Sequence, residues 1–251
     1  MPNTTAATRR NVSAIIPCLD EEDAIGPCVA AVLAHGVGEV IVVDNQSTDR
    51  TAERAAAAGA KVVTESVRGY GQAMLSGLAA LSPNSTIVLF IDGDGSDRPE
   101  LIPAVLAPIE NGNADFVLGS RLRGEREPGS LGASQIVAGC LAGLLIAALY
   151  GVRFTDMSPF RAIRRDVLDR LGMAETSFGW NLEMQMRVAA SSLHVVEVPV
   201  GQRRRVGGVS KVSGHWRSAV RAALVLARSF VRLAWQLRRH GASIADRHEA
   251  S

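Results

Sequence analysis

The chain has 251 residues with a formal net charge of +2, and 47% of its residues are hydrophobic and 21% charged. These values are typical of a globular protein with a sizeable core, and they exclude an intrinsically disordered chain. The small net charge hides an asymmetry, because residues 201–251 carry 11 Lys or Arg against 2 Asp or Glu. We therefore expect an acidic body that carries a basic C-terminal tail.

The cysteines and the N-terminus indicate an intracellular protein. Cys18, Cys28 and Cys140 are odd in number and form no C-x-x-C pair, so they predict neither a disulfide framework nor a zinc site. Residues 1–11 are polar and lack the apolar core of a secretory signal, and we expect them to be disordered. A reducing cytoplasm fits these features best.

Strand-like and helix-like segments alternate along most of the chain. This alternation predicts βαβ units and an α/β fold with a mostly parallel sheet flanked by helices. Binding residues then collect at the carboxyl ends of the strands, where Asp44 and Asp92 both lie. The predicted strands are 12–17, 39–43, 61–64, 86–91, 115–119 and 194–200.

The segment that follows the fourth predicted strand is the strongest candidate for chemistry. The apolar run 86–91 ends in Asp92-Gly93-Asp94-Gly95-Ser96-Asp97. The glycines allow a tight turn, so the carboxylates of Asp92 and Asp94 can converge on one Mg²⁺ or Mn²⁺ that is also bound to a diphosphate. The alternative is an Asx-rich turn whose acids are solvated or cap the helix that begins near Pro99.

Two glycine-bearing segments are candidates for ligand contacts. Residues 68–72 open a helix, where the glycines, including Gly71, allow close backbone approach and exposed N–H groups favour an anion. The polar stretch 122–132 is typical of a mobile loop that could close over a ligand.

Polar residues in the second half of the chain leave alternatives open. Asp156 and Arg161 lie in a segment that we interpret as turn-rich, and they could pair with each other. Glu183 lies near the first turn of a helix, where the helix dipole favours a carboxylate whether or not it has a catalytic role.

The C-terminal region combines apolar and basic residues. The most apolar run, 136–152, has 17 residues, near the lower limit for spanning a bilayer, so we expect a buried or interfacial helix. Residues 215–240 predict a basic amphipathic helix that packs on the body or lies on an anionic membrane, and 241–251 predict a disordered tail. No nucleic-acid-binding motif is present. The apolar positions of the helix are Trp216, Val220, Leu224, Ala227, Val231 and Trp235.

Together these segments resemble family 2 glycosyltransferases of the GT-A fold, and within them the dolichol- or polyprenyl-phosphate sugar synthases. The resemblance covers residues 12–214 and departs from the family at Asp20, where Asn is usual, and at Pro159, where glycine is common. Its segments, in the family's order, are IIPCLDEED, VVDNQSTDRT, GYGQAMLSGL, DGD, GSR, DMSPFRA and R-x-x-G-x-S-K from Arg205 to Lys211.

The resemblance implies a role for individual residues. Pro17, Asp20 and Glu21 would line the nucleotide pocket, and Asp44 would hold the base or ribose. Arg121 would lie near the donor sugar or the acceptor phosphate. The candidate donor-binding residues are Pro17, Asp20, Glu21, Asp44, Gly71, Asp92, Gly93, Arg121 and Ser210. The candidate catalytic residues are Asp94, Asp156, Glu183, Arg205 and Lys211, and the candidate metal ligands are Asp92 and Asp94.

The reaction that the resemblance implies is inverting transfer from a UDP-glucose or GDP-mannose type donor, with Mg²⁺ or Mn²⁺ as cofactor. A polyprenyl-phosphate acceptor is already an anion and needs no general base, whereas a hydroxyl acceptor needs one, for which Glu183 and Asp156 are candidates. A polyprenyl phosphate implies a peripheral enzyme at the inner face of the cell membrane. The alternatives are a soluble family 2 enzyme with a small-molecule, carrier-bound or glycolipid-precursor acceptor, a sugar nucleotidyltransferase and a non-catalytic nucleotide-sugar-binding protein.

Overall fold

A single seven-stranded sheet organises the computed structural model, which describes residues 9–206 and 224–237. The strand order is β3-β2-β1-β4-β6-β5-β7. The strands are β1 Arg9–Cys18, β2 Val37–Asp44, β3 Lys61–Thr64, β4 Ile87–Phe90, β5 Phe116–Ser120, β6 Arg161–Arg164 and β7 Val195–Pro199. Each of the six predicted strands is present.

The sheet is mostly parallel, as predicted, with one exception. β1 pairs in parallel with β2 and β4, β2 with β3, and β5 with β7. β6 runs antiparallel between β4 and β5. The interpretation of the segment that contains Asp156 and Arg161 as turn-rich is therefore wrong for Arg161–Arg164. Its four residues include two arginines, so the apolar period of a strand is missing from the sequence.

Helices cover both faces of the sheet. One core cluster joins β1 to α1, α2 and α4, and the other joins the opposite sheet face to α3, α5, α6, α7 and the helix over residues 224–237, named α8. The helices are α1 Glu22–Ala34, α2 Thr51–Ala57, α3 Tyr70–Ala79, α4 Ile102–Glu110, α5 Ala133–Tyr150, α6 Arg165–Leu171 and α7 Trp180–Ala189. A 3-10 turn, Pro99–Leu101, precedes α4.

The two termini differ in part from the predictions. β1 begins at Arg9, so the predicted disordered start, 1–11, is wrong for residues 9–11. The Arg9 side chain donates to Glu110 Oε1 at 2.6 Å and to the His35 carbonyl at 3.0 Å, which holds the start of the strand. The remaining predicted tails and the boundaries of the basic helix at 215 and 240 lie outside the described residues.

Helix α8 packs on the body through a face that differs from the predicted apolar stripe. Leu233 is buried against the second core cluster. Leu224, Val231 and Trp235, which belong to the predicted stripe, are exposed. Helix α8 therefore presents apolar residues on two faces, one on the body and one towards solvent.

The stretch 122–132, predicted to be a mobile loop, is fastened to the chain that follows β7. The Glu127 N–H donates to the Gln202 carbonyl at 2.9 Å, and the Gln202 N–H donates to the Glu125 carbonyl at 3.1 Å. The Arg204 N–H donates to the Glu127 carboxylate at 2.7 Å. These contacts join two loops beside the carboxyl end of the sheet.

Candidate active site

The Asp-Gly-Asp segment turns back on itself directly after β4. The Asp92 N–H donates to Asp97 Oδ2 at 2.9 Å, and the Ser96 N–H donates to Asp94 Oδ1 at 2.8 Å. Gly95 has φ +75°, a left-handed conformation that glycine adopts without strain. The turn therefore gathers Asp92, Asp94 and Asp97 at the end of a central strand. Gly93 makes this possible by close packing, because a Cβ there would overlap Cys18 Sγ.

The acids of this turn lie close together in a poorly solvated place. Burial, followed by the charges of Asp94 and Asp97, raises the pKa of Asp92 well above its ordinary value. Burial also raises the pKa of Asp97 to about 7, although its hydrogen bond from the Asp92 N–H acts in the opposite direction. The Tyr70 hydroxyl donates to Asp92 Oδ1 at 3.3 Å. The turn is therefore well suited to a hard cation.

The donor set of this turn fits a divalent metal that shares its coordination with a substrate. Asp92 and Asp94 offer carboxylate oxygens, the ligands that Mg²⁺ and Mn²⁺ prefer. Among residues 9–206 and 224–237, no three His, Cys, Asp or Glu side chains come together as a metal site. A metal held here would therefore take much of its coordination from water or from phosphate oxygens.

Arg205 reaches into the acidic turn from the chain that follows β7. Its Nη2 lies 2.7 Å from Asp94 Oδ2, and its Nη1 lies 2.9 Å from Glu21 Oε1. The structure therefore brings together three residues from separate motifs of the sequence, Glu21, Asp94 and Arg205. Ser210 and Lys211, from the same R-x-x-G-x-S-K segment, lie outside the described residues.

Arg121 and Asp156 form a buried bidentate ion pair. Arg121 Nε and Nη2 each lie 2.8 Å from an Asp156 oxygen, and the Arg121 N–H adds a third bond at 2.9 Å. Burial raises the pKa of Asp156, but the hydrogen bonds and the charge of Arg121 outweigh burial and lower that pKa. The predicted pairing of Asp156 with Arg161 is wrong, because Arg161 lies in β6 and donates to the Asn181 and Ser158 carbonyls.

The candidate nucleotide contacts line the carboxyl ends of β1 and β2. Pro17 pairs with Val43 at this end of the sheet. Asp44, at the end of β2, accepts the Ser47 N–H at 3.2 Å. The Glu21 N–H donates to Thr51 Oγ1 at 2.8 Å. The loops after β1 and β2 are therefore held together beside the acidic turn.

The backbone explains why Asp20 can stand where Asn is usual. Asp20 has φ +53°, a left-handed conformation that Asn and Asp adopt more readily than other side chains. Its Oδ1 accepts the Thr48 N–H at 2.7 Å, which an Asn carbonyl oxygen could also do. The Asp20 side chain therefore holds the loop after β2 through an oxygen that Asn also has, and this contact does not depend on the added charge.

The prediction that residues 68–72 offer free N–H groups to an anion is wrong for Gly71 and Gln72. The N–H of Gly71 donates to the Ser177 carbonyl at 3.2 Å, and the N–H of Gln72 donates to the Thr176 carbonyl at 2.9 Å. A Cβ at Gly71 would overlap the Glu175 carbonyl oxygen. The glycine therefore serves close packing between two segments, and a phosphate contact at Gly71 is not available in this conformation.

Glu183 is placed for a structural role. Its side chain is buried, and its carboxylate accepts the N–H groups of Ala174 and Glu175, the latter at 2.7 Å. Arg187 pairs with the same carboxylate at 2.9 Å. These contacts argue against Glu183 as a general base, because a base needs an accessible oxygen.

Among the residues of this site, Tyr70 was not predicted, Asp97 was noted in the acidic turn without a role, and Arg161 was noted only as a partner for Asp156. Tyr70 contacts Asp92, Asp97 bonds to the backbone of the turn, and Arg161 lies fully buried nearby with a pKa lowered by burial to about 10. Tyr70 could have been found, because a tyrosine at the start of a helix that faces the sheet can reach the end of a neighbouring strand. Arg161 gives no such signal, since its strand was not predicted.

A family model, described as glycosyl transferase family 2, matches residues 13–172. The chain belongs to glycosyltransferase family 2. Among its relatives is an uncharacterised glycosyltransferase of Mycobacterium tuberculosis, 38% identical over 216 residues, which are 85% of this chain and 94% of that protein. A dolichyl-phosphate hexose transferase of Haloferax volcanii is 32% identical over 207 residues, 81% of this chain and 87% of the relative.

The fold of this glycosyltransferase also matches solved structures. One is glucosyl-3-phosphoglycerate synthase from Mycobacterium tuberculosis in complex with Mn²⁺, UDP-glucose and phosphoglyceric acid, with a TM-score of 0.69 at 23% identity. The match covers 90% of this chain and 80% of that chain. It confirms the GT-A fold expected from the sequence.

Proposed function

We propose that this family 2 glycosyltransferase moves a hexose from a UDP-glucose or GDP-mannose type donor to a polyprenyl phosphate, with inversion and with Mg²⁺ or Mn²⁺ as cofactor. The enzyme would act as a peripheral protein at the cytoplasmic face of the cell membrane. The observation that carries this proposal is the position of the apolar helix α5, which joins an exposed hydrophobic surface to the candidate site.

Helix α5 is apolar on all sides, but only one side packs on the protein. Gly139 and Gly143 are buried, whereas Leu141 is 54% exposed and Leu144 is 53% exposed. Within the described part of the chain, α5 is the helix that has the length and hydropathy to cross a membrane, and 17% of it is buried. A helix that rests on the body through its glycines and exposes leucines suits the surface of a bilayer.

The buried side of α5 touches the candidate site directly. An added Cβ at Gly139 would lie 3.5 Å from Asp156 Oδ1, the carboxylate that holds Arg121. A lipid whose tail lies along α5 would therefore bring its phosphate close to an arginine at the end of β5. This arrangement supports a lipid phosphate as acceptor, and the relative named for dolichyl phosphate agrees with it.

In this reaction an oxygen of the acceptor phosphate attacks the anomeric carbon of the sugar as the bond from that carbon to the diphosphate breaks. The nucleoside diphosphate leaves with the bonding electrons. No general base is needed, because the acceptor is an anion at neutral pH. This agrees with the burial and pairing of Asp156 and Glu183, which leave neither carboxylate available as a base.

The residues of the site would then have separate tasks. Asp92 and Asp94 would hold the metal, which when bound neutralises charge on the departing diphosphate. Pro17, Glu21 and Asp44 would line the nucleotide pocket beside them. Arg121 would orient the acceptor phosphate, and Arg205 would stabilise charge on the diphosphate, with Lys211 as a further cation from the same segment of the sequence.

The test is a transfer assay with UDP- and GDP-hexoses, Mg²⁺ or Mn²⁺, and a short-chain polyprenyl phosphate. We expect a glycosylated lipid phosphate and release of the nucleoside diphosphate only when the lipid is present. Asp94→Ala should lower the rate by at least about 100-fold. Asp169→Asn, which alters an exposed carboxylate paired with Arg165, is the matched control and should leave the rate unchanged.

The same assay separates the two acceptor classes. The likeness to glucosyl-3-phosphoglycerate synthase, whose structure contains phosphoglyceric acid, makes a soluble small-molecule acceptor the second candidate. Metal-dependent transfer to such a molecule, with no response to the polyprenyl phosphate, would overturn the lipid proposal. It would leave the donor and metal assignments intact.

A further inference from the structure

We infer that Arg205 is a built-in counter-cation that occupies the metal ligand Asp94 until a metal and a nucleotide arrive. The inference rests on the metal site proposed above, and it concerns the order in which that site is assembled. The contact between Arg205 and Asp94 would weaken the binding of a metal ion in the absence of nucleotide. It would also couple metal binding to the presence of a diphosphate.

The geometry of Arg205 is that of a cation shared by two acids from different loops. One guanidinium nitrogen lies 2.7 Å from Asp94 Oδ2, and another lies 2.9 Å from Glu21 Oε1. The side chain of Asp94 is 9% exposed and that of Glu21 is 8% exposed, whereas that of Arg205 is 28% exposed. A guanidinium held between two poorly solvated carboxylates neutralises charge that water does not reach.

The backbone around Arg205 keeps it at this place. The Val206 N–H donates to the Asp94 carbonyl at 3.1 Å, and the Arg203 N–H donates to the Ser96 carbonyl at 2.9 Å. The segment 202–206 therefore lies along the acidic turn, and Arg205 is delivered to Asp94 by hydrogen bonds on both sides of it. These backbone hydrogen bonds fix the position of Arg205, so its contact with Asp94 is a defined part of the site.

A metal and Arg205 compete for the same oxygen. Asp94 Oδ1 accepts the Ser96 N–H at 2.8 Å, which leaves Oδ2 as the oxygen without a backbone hydrogen bond, and Arg205 is bonded to it. Two cations on one carboxylate oxygen repel each other, and the guanidinium must withdraw before a metal can bind there. A diphosphate offers the displaced guanidinium a new anionic partner.

This competition predicts a thermodynamic coupling. A metal that binds alone must break the contact between Arg205 and Asp94, whereas a metal that binds together with a diphosphate replaces that contact with another. Nucleoside diphosphate should therefore raise metal affinity, and by reciprocity metal should raise nucleotide affinity by the same factor. Direct metal–phosphate bonds add to this coupling, so the variant below is needed to isolate the part due to Arg205.

The test is Mn²⁺ binding to the full chain, measured by calorimetry and by the loss of the free-ion electron paramagnetic resonance signal, without nucleotide. We expect Arg205→Gln to bind Mn²⁺ about three- to tenfold more tightly than the unaltered enzyme. We also expect the gain in Mn²⁺ affinity on adding UDP or GDP to be smaller in this variant. Arg205→Lys, which keeps the charge but cannot bridge both acids, should be intermediate.

Arg203→Gln is the matched control. Arg203 belongs to the same segment and pairs with Glu100 at 2.5 Å, so its loss removes one positive charge without freeing Asp94. An equal rise in Mn²⁺ affinity in both variants would assign the effect to general electrostatics and overturn the inference. Unchanged or weaker Mn²⁺ binding by Arg205→Gln would also overturn it.

A further variant distinguishes failure of this inference from failure of the proposed function. If Mn²⁺ binds the unaltered enzyme and Asp94→Asn abolishes binding, the metal site stands whatever Arg205 does. If no Mn²⁺ binds to any variant, even with nucleoside diphosphate present, the metal site itself is wrong. The role of Arg205 as its counter-cation then falls with it.

Discussion

Single residues decide the electrostatics of this site, and the buried pair of Arg121 and Asp156 is the clearest case. Asp156→Asn leaves the arginine without a compensating charge, so we expect the free energy of unfolding to fall by about 3 kcal/mol. Urea unfolding measures this change. The buried pair joins the end of β5 to the segment before β6, so its loss should also loosen the site.

An exposed ion pair supplies the comparison for that experiment. Asp166 pairs with Arg164 at 2.9 Å, and both side chains are 47% exposed. Asp166→Asn should therefore cost less than about 1 kcal/mol. Similar losses in the two variants would contradict the importance that we give to burial of the Arg121 pair.

A second prediction at the residue scale concerns the effect of Gly71→Ala on stability. Gly71→Ala places a methyl group against the Glu175 carbonyl oxygen, and backbone cannot yield as a side chain can, so we expect a loss of at least about 1–3 kcal/mol. Gly26→Ala, in α1, meets its nearest atom at 3.9 Å and should be neutral or stabilising. Thermal unfolding of the two variants tests the difference, and equal melting temperatures would contradict the packing role of Gly71.

At this scale, the sequence predicts residue types better than residue roles. Asp94, Glu21 and Arg205 were selected from motifs, and the structure brings them into contact. Asp156 and Glu183 were selected as possible bases, yet each is buried in an ion pair. A motif indicates that a carboxylate is present at a site. It does not indicate whether that carboxylate forms an ion pair with an arginine from elsewhere in the chain.

Among the elements, α8 is attached to the body by a polar contact as well as an apolar one. Glu175 accepts a hydrogen bond from Ser229 at 3.0 Å and pairs with Arg232. Burial raises the pKa of Glu175, but hydrogen bonds from Ser177 and Ser229 and the charge of Arg232 outweigh burial and lower that pKa from its ordinary value of 4.5. Because Ser229 and Arg232 belong to α8, docking of α8 should depend on pH through their share of this lowering.

The sign of that dependence follows from the lowered pKa. The undocked or unfolded chain binds a proton at Glu175 more readily than the folded chain, so the contribution of Glu175 is complete above pH 4.5 and is lost as pH falls through the lowered value. We expect amide exchange in α8 to quicken over this range. Glu175→Gln should show faster amide exchange in α8 already at neutral pH, and this exchange should no longer depend on pH in the same way. Exchange equal to that of the unaltered enzyme would contradict a role for Glu175 in docking α8.

Regular elements were predictable where the chain follows a simple period. The six predicted strands are apolar runs, and all six are present in the sheet. β6 and α6 were not predicted. β6 is a short strand with arginines at both ends, and it is held by pairing with β4 and β5. Tertiary pairing decides such a strand, and a single sequence does not record it.

At the scale of the whole molecule, α5 exposes a leucine surface, and α8, which packs on the same core cluster, exposes further apolar residues. Leu141→Glu combined with Leu144→Glu adds charge to exposed positions, so the folded state should keep its stability. If this surface binds lipid, the pair of changes should lower the fraction of enzyme that floats with anionic vesicles by at least about tenfold. Vesicle flotation at physiological salt measures the effect.

Val67→Glu is the control for flotation. Val67 is also an exposed apolar residue, but it follows the edge strand β3 and lies outside α5 and α8. This variant should float as the unaltered enzyme does. If the unaltered enzyme stays in the bottom fraction, the membrane surface proposed for α5 is wrong, and a soluble acceptor becomes the better hypothesis.

The positions of the three cysteines allow a dye to be attached to the exposed surface of α5. Cys140 is exposed on α5, whereas Cys18 and Cys28 are buried. Burial raises the pKa of Cys28 to about 12 and that of Cys18 well above its ordinary value, so neither forms the reactive thiolate at neutral pH. A maleimide dye should therefore label the natural chain at one position, in the middle of the leucine face. The emission of an environment-sensitive dye would then report, without any engineered cysteine, whether that face enters a hydrocarbon phase.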